Sequence, residues 1–249
     1  MTNRLVFDFT GTSVLVTGGT SGIGHAIASA FAGAGATVTV TGTRAAATDY
    51  DCDLSRFAYR RLEMRDRDAI DAVASELRTL DVLVNNAGAT FPDGGNEWEP
   101  DVLSAALALN FEGAMRLSVR SRAALAASTM AGGASVVNLV SMTAFRSTTL
   151  VPGYSAAKSA LLALTRNLAV HWASDGIRVN AVAPGLIDTR MTAPMKKFPA
   201  LLDAEVGKSA LRRMGTPEEV AAAVLFLCSA ASAFTTGSVL AVDGGYLAQ

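Results

Sequence analysis

The segment that most constrains this chain is Thr17-Gly18-Gly19-Thr20-Ser21-Gly22-Ile23-Gly24. It follows Ser13-Val14-Leu15-Val16-Thr17, a β-branched run that predicts a strand. It opens a helical period with Ile23, Ile27 and Phe31 on one face. Glycines let the backbone turn tightly and approach a ligand closely. A helix that starts at such a turn offers free N–H groups and the positive end of its dipole to an anion. A glycine-rich turn between the first strand and the first helix therefore predicts a nucleotide pyrophosphate site formed by Gly18, Thr20, Ser21, Gly22, Ile23 and Gly24. The spacing is G-x-x-x-G-x-G rather than the commoner G-x-G-x-x-G.

Beyond this turn, short apolar runs alternate with helical patterns. Strands are predicted at Thr37–Thr41, Phe57–Leu62, Asp81–Asn85, Ser135–Val140, Ile177–Val182 and Ser238–Val242. Helices are predicted after Asp66, over about 100–128, over 154–174 and over 216–230. Runs that are apolar throughout suit parallel strands buried on both faces. The expected fold is a single α/β domain over 1–249: a doubly wound, Rossmann-type parallel sheet of about seven strands with helices on both faces. Residues 45–57 are polar and irregular. Residues 188–215, with Pro194, Pro199, Lys196 and Lys197, interrupt the alternation and predict a substrate flap.

Composition narrows the partners. The 249 residues are 50% hydrophobic and 17% charged, enough to bury a sizeable core. With 21 basic against 22 acidic residues and no basic stripe, nucleic acid is not expected as a partner. Cys52, Cys228, His25 and His171 are too few and too scattered for a metal site. Arg4 and Asp8 interrupt the first apolar patch, so no signal peptide is expected. The longest apolar run, Val220–Cys228, is far short of the roughly twenty residues of a membrane span. A cytoplasmic protein is expected.

Strand ends carry the remaining signals. After the second strand stands Gly42-Thr43-Arg44, where an acidic residue would grip an adenosine ribose and repel a 2′-phosphate. Thr43 and Arg44, with a guanidinium suited to phosphate, favour NADP over NAD. Asn85-Asn86-Ala87-Gly88 ends the fourth strand and Pro184-Gly185-Leu186-Ile187-Asp188-Thr189 follows the sixth, both at the edge where such sheets bind ligands. Ser141 stands just past the fifth strand, where its hydroxyl could bond a substrate carbonyl. Tyr154 and Lys158 are four apart, on one helix face, so the ammonium is expected to lower the phenol's pKa and make it an acid/base group. Asn110 lies inside the long helix, where asparagine is a poor helix former and suggests a kink.

Taken together, these segments resemble the short-chain dehydrogenases/reductases over nearly the whole chain, 3-oxoacyl-acyl-carrier-protein reductases among them. The resemblance rests on Thr17–Gly24, Asn85–Gly88, Asn110, Ser141, Tyr154 with Lys158, Pro184-Gly185 with Thr189, and Val242-Asp243-Gly244-Gly245. It implies an NAD(P)(H)-dependent oxidoreductase that interconverts a secondary alcohol and a ketone. Tyr154 would be the acid or base, Ser141 would orient the substrate oxygen, and Lys158 would tune the phenol and hold the nicotinamide ribose. Asn110 would hold a relay water. Gly18, Gly22 and Gly24 would pack on the pyrophosphate and ribose, and Asn86, Ala87 and Gly88 would line the groove. Pro184 and Gly185 would form the turn from which Ile187 and Thr189 fix the carboxamide. Glu63 and Met64 stand at the expected adenine contact, where relatives more often carry Asp or Asn before Val.

The implied substrate is a small carbonyl or alcohol, a 3-oxoacyl thioester or related ketone. A sugar, polyol or cyclic alcohol oxidised with NAD is the alternative, and a non-catalytic nucleotide-binding regulator is the rival from another class. Met142, Thr143, Phe145, Leu186 and Met191 are the candidate substrate-pocket residues, with Phe91 and Met195 beside them. Family members assemble as homotetramers or homodimers, and the small residues Ala105, Ala106, Ala123, Ala156, Ala157 and Ala160 are compatible with close helix packing between subunits.

Overall fold

Alternate side chains of a strand point to opposite faces, so an all-apolar strand must be covered on both sides. The computed structural model, which describes residues 6–249, shows that arrangement for the inner strands, while the two edge strands, Ala58–Arg61 and Val239–Val242, are largely exposed; Arg4, part of the reading of the N-terminus, lies outside the described residues. Seven parallel strands form one sheet: β1 (Ser13–Val16), β2 (Thr37–Gly42), β3 (Ala58–Arg61), β4 (Val82–Asn85), β5 (Ala134–Leu139), β6 (Ile177–Pro184) and β7 (Val239–Val242). Their spatial order is β3-β2-β1-β4-β5-β6-β7, and Val14 is in register with Val38 on one side and Val82 on the other.

Val14, Val16, Val82, Val84 and Val137 point to one face. There they pack with Ile27 and Phe31 of α1 (Gly22–Gly33) and with Val220 and Val224 of α8 (Pro217–Cys228). Leu15, Leu83 and Val136 point to the other face. They meet Ile70 and Val73 of α2 (Arg67–Ser75), Leu117 of α4 (Gly113–Arg120), and Leu168 of α6 (Pro152–His171). Each such side chain buried contributes about 1.5–3 kcal/mol, which makes this two-sided core the main stabilising term. Asp66 caps α2 by accepting from the N–H groups of Asp68 and Ala69, and Thr216 and Glu219 form a reciprocal capping box at α8.

Two expected elements differ in detail. The long helix over 100–128 is divided into α3 (Pro100–Leu107), a π-turn at Ala108–Glu112, α4, and α5 (Arg122–Ala126). The cause is Asn110, whose side-chain amide donates to Ala106 O one turn back and to Ala89 O outside the helix. The stretch Pro100–Arg120, with mean hydropathy 1.2, is long and apolar enough by composition to cross a membrane. Here α3 packs on α6, and α4 packs on α2, within the layer that covers the sheet. The segment 188–215 is not irregular. It holds a 3₁₀ turn at Ala193–Lys197 and a helix, α7 (Pro199–Gly207), neither of which buries a residue. Between β2 and β3, where 45–57 reads as irregular, the chain makes only the 3₁₀ turn Ala47–Asp49.

The strand order reverses between β1 and β4. The helices that follow them cover opposite faces of the sheet, which opens a cleft at the strands' carboxyl ends, where doubly wound sheets bind ligands.

Candidate active site

The cleft is about 630 Å³ and begins at the glycine turn after β1. Gly18 and Gly22 have φ of 63° and 52°, left-handed values that favour glycine. Gly24 sits so close to the returning chain that a Cβ would lie 2.3 Å from Gly18 O. Ser21 occupies the N-cap position of α1 but makes no side-chain bond to the helix, and the first turn has no acidic residue. The positive end of α1 and its free N–H groups thus face the cleft unneutralised, beside Thr20 and Ile23, and this bare-backbone cradle fits a dinucleotide pyrophosphate.

Thr17 and Asn86 brace the turn from β4. The Thr17 hydroxyl accepts from the N–H groups of Asn86 and Ala87 at 3.0 Å, and the Asn86 amide donates to Thr17 O at 2.9 Å and Gly18 O at 3.2 Å. Asn86 therefore shapes the groove by holding the glycine turn. Beneath it, Asn85 donates to Ser118 Oγ and to Asn138 Oδ1, and Asn138 donates to Thr165 Oγ1. This buried chain ties β4, β5, α4 and α6 together under the site.

Three of the four expected side chains, Ser141, Tyr154 and Lys158, line the far end of the cleft; the fourth, Asn110, is buried behind Gly88 and does not line it. Ser141 follows β5 in extended backbone, and its Oγ accepts from the Thr143 N–H at 3.2 Å. Its O–H is then left to donate to the Tyr154 oxygen, which lies against it in the cleft. Lys158 is 3% exposed, donates to Leu139 O at 2.7 Å, and holds its Nζ 5.5 Å from the Tyr154 ring centroid. Asn110 pairs with the Ala89 backbone in both directions, at 3.0 Å each. Gly88 fits between Asn110 and Lys158 because it lacks a side chain; a Cβ there would lie 2.6 Å from Asn110 Oδ1.

The electrostatics correct one expectation. Lys158 does not lower the phenol here. Burial pushes Tyr154 up to about 12, the Ser141 hydrogen bond pulls the other way, and the Glu97 carboxylate raises it further. Burial also brings Lys158 down to about 8. Both shifts have one cause, since desolvation disfavours whichever form is charged. At neutral pH Tyr154 is a protonated phenol, placed to donate.

At the adenosine end, Arg44 lines the cleft but folds back onto the Asp49 carbonyl and lies over the Tyr50 ring, 4.9 Å from its centroid. Its backbone is clasped by two tyrosines: the Arg44 N–H donates to Tyr50 Oη at 2.9 Å, and Tyr59 donates to Arg44 O at 2.5 Å. Thr43, Glu63 and Met64 also line this end. Glu63 is tied to Arg65, which also pairs with Asp93 at 2.7 Å.

At the other end, Pro184 closes β6, and Gly185 crosses so near β7 that a Cβ would lie 2.7 Å from Asp243 Cα. Ile187 and Thr189 line the cleft, and Thr192 braces them by donating to Ile187 O at 2.6 Å and accepting from the Thr189 N–H. Of the five substrate-pocket residues expected, only Met191 lines the cleft, with Thr90 and Phe91 opposite. Met142, Thr143 and Phe145 do not, because the chain turns away after Ser141 in a 3₁₀ turn docked on α6, where Ser155 donates to Thr143 O at 2.6 Å. Leu186 faces a neighbouring cavity lined by Val206, Leu211 and Tyr246, and its carbonyl accepts from the Gly215 N–H at 2.9 Å.

Glu97, Asn138 and Thr192 are missing from the sequence reading, and Thr17, though part of the glycine motif there, was given no role of its own. Thr17 and Asn138 had a usable signal, a polar residue at a strand end or inside an apolar strand. Glu97 had none, because its partners are remote in the chain.

A family model described as enoyl-(acyl carrier protein) reductase matches residues 18–247. The chain is 37% identical to galactitol 2-dehydrogenase (L-tagatose-forming) of Cereibacter sphaeroides, over 99% of each chain. It is 36% identical to cis-4-hydroxycyclohexanecarboxylate dehydrogenase of Sinomonas cyclohexanicum, over 94% of this chain and 96% of that one. Among solved structures, a proposed NAD(P)-dependent gluconate 5-dehydrogenase from Beutenbergia cavernae, with NADP bound at low occupancy, superposes with a TM-score of 0.85 at 33% identity, covering 98% and 99% of the two chains. A cleft at the sheet's reversal point, with serine, tyrosine and lysine at its inner end, accompanies this likeness, and the chain belongs to the short-chain dehydrogenase/reductase family.

Proposed function

We propose that this NAD(P)(H)-dependent oxidoreductase interconverts a small polyhydroxy or cyclic secondary alcohol with its ketone. The observation that carries the reading is the convergence of Ser141, Tyr154 and Lys158 at the inner end of the nucleotide cleft, with Asn110 bound to Ala89 behind it. A nicotinamide bound there supplies or takes up the hydride. Ser141 turns its O–H to the substrate oxygen, and Tyr154 delivers its proton to that oxygen in reduction or removes it in oxidation. Lys158 and Asn110 hold the inner wall against Leu139 O and Ala89. The glycine turn would take the pyrophosphate, Glu63 and Met64 would stand at the adenine end, and Ile187 with Thr189 would hold the carboxamide end. The substrate class is supported by the relatives named for galactitol and hydroxycyclohexanecarboxylate.

A 3-oxoacyl thioester is the second reading, favoured by the apolar Phe91 and Met191, both substantially exposed at the cleft. Against it, two of the cations available to an anionic carrier are already paired, Lys196 with Asp188 and Arg213 with Glu219. Initial rates on a panel of polyols, sugar acids, cyclic alcohols, their ketones and 3-oxoacyl thioesters, each with both cofactors, decide between them. Turnover confined to thioesters would replace the first reading by the second, and no turnover at all would favour a nucleotide-binding regulator.

NADP(H) is the favoured cofactor, because no carboxylate ends β2 and Arg44 stands at the cleft rim. Arg44→Ala is expected to raise the apparent KM for NADPH about 10- to 100-fold, the loss of a charge-assisted contact, while the NADH value changes little. Equal effects on both cofactors would remove the 2′-phosphate role.

The chain is further proposed to work as a cytoplasmic homotetramer or homodimer, with 188–215 as a substrate flap. Both thiols are free, and Met115, Val119 and Val170 leave apolar surface on α4 and α6. Ala106 and Ala157 are buried within the chain, so these two small residues serve α3–α6 packing.

A further inference from the structure

Glu97 is fully buried, and among the described residues it has no cationic partner. Its two oxygens are taken by two backbone N–H groups from different parts of the site. Oε1 accepts from Phe91 at 2.7 Å, and Oε2 accepts from Tyr154 at 2.8 Å, 57 residues along the chain. Phe91 lines the cleft and stands in left-handed backbone, with φ 50° and ψ 58°, and Asp93 follows with φ 57°. A non-glycine residue keeps such a conformation only where its surroundings hold it. Trp98, next to Glu97, adds a second tie by donating from Nε1 to Thr149 O, just ahead of α6. Gly153 leaves the room required, since a Cβ there would lie 3.3 Å from Glu97 Oε2 and 3.0 Å from Ala106 Cβ.

We propose that Glu97 is a positioning residue that holds the strained cleft wall at Phe91 and the first turn of the catalytic helix at Tyr154 in one fixed relation. This inference rests on the oxidoreductase reading above. A single carboxylate satisfies both N–H groups; an amide can accept only one of them and turns a donor toward the other. The carboxylate, bound at the Tyr154 backbone, also raises the phenol's pKa, less than burial does. The groups that face the Tyr154 phenol are the Ser141 hydroxyl from the end of β5, Lys158 from α6 itself and Glu97 from the loop before α3. Removing the Glu97 charge eases ionisation of the phenol, so alcohol oxidation, which uses the phenolate, should reach half its alkaline plateau at lower pH.

The test uses the full-length enzyme with NADPH or NADP and the alcohol/ketone pair it turns over best. In Glu97→Gln, kcat is expected to fall about tenfold or more, a positioning effect, with the dissociation constant for NADPH within twofold. The oxidation profile should move by about half a pH unit or more to lower pH, as expected for loss of a nearby buried charge. Glu97→Asp keeps the charge and loses reach, so kcat should fall with the profile in place. If Glu97→Gln does not fold, Glu97→Asp decides: a lowered kcat with intact NADPH binding supports the role, and a wild-type kcat overturns it. Wild-type kcat and profile in Glu97→Gln, or a lower melting temperature as the sole change, would also overturn it. An inert wild-type enzyme would instead sink the oxidoreductase reading on which the inference stands.

Discussion

Replacing Tyr154 by phenylalanine is expected to lower kcat by about 10²–10⁴-fold, the range for loss of a positioned acid/base, and to leave NADPH binding within a few-fold. The change removes one oxygen. It takes away the hydrogen bond with Ser141 and leaves the ring, Lys158 and the glycine turn in place. The pH dependence follows from the phenol's position, with burial raising it to about 12. Ketone reduction needs the protonated phenol, so its rate should hold from pH 6 to 11, below the range in which the phenol ionises. Alcohol oxidation needs the phenolate and should climb with pH over the same range. Steady-state rates in both directions from pH 6 to 11, with cofactor binding followed by fluorescence, check all three statements. Retention of most activity in Tyr154→Phe would remove the assignment of Tyr154 as the proton donor.

Replacing Lys158 by methionine is expected to separate stability from function. Activity should be lost, because the ammonium beside the phenol and its bond to Leu139 O both disappear. Stability at pH 7 should rise by about 1–3 kcal/mol, the free-energy equivalent of the depressed pKa reduced by the stranded Leu139 carbonyl. The sign follows from proton linkage. Burial brings the folded pKa to about 8, below the ordinary 10.5. The folded chain therefore binds the proton less tightly than the unfolded chain, and the buried ammonium costs stability at every pH below 8. That cost fades as pH rises from 8 to 10.5, so the advantage of methionine should be largest at neutral pH and shrink through that window. Urea denaturation of both proteins at pH 7 and pH 10 measures it. A variant less stable than wild type at pH 7 would show that the Leu139 bond outweighs the desolvation.

Val14, Leu15 and Val16 show why so much of the fold was legible in the sequence. Their apolar character on both faces of one short strand already requires a sheet covered on two sides, and the glycine turn that follows places the cleft. Asn110 announced a break in its helix, and the structure answers with a π-turn. Less was legible where side chains reach across the molecule. Met142, Thr143 and Phe145 follow Ser141 in the chain and so read as pocket residues, yet the chain turns away to dock on α6. Leu186 sits one residue from Ile187 and faces a different cavity. The spacing of Tyr154 and Lys158 placed them on one helix face. It could not show that burial of both would move the two proton affinities in directions opposite to those an exposed pair would take.

The amino-acid order alone determined the parallel sheet, the glycine turn that opens the cleft, and that Ser141, Tyr154 and Lys158 stand along it. Those depend on local periodicity and on where strands stop, and both are written in neighbouring residues. Only the tertiary structure decided how strongly each site group holds its proton, which residues wall the substrate end, and that a buried glutamate joins Phe91 to Tyr154. These depend on desolvation and on contacts between segments far apart in the chain, and neither exists until the segments are packed together.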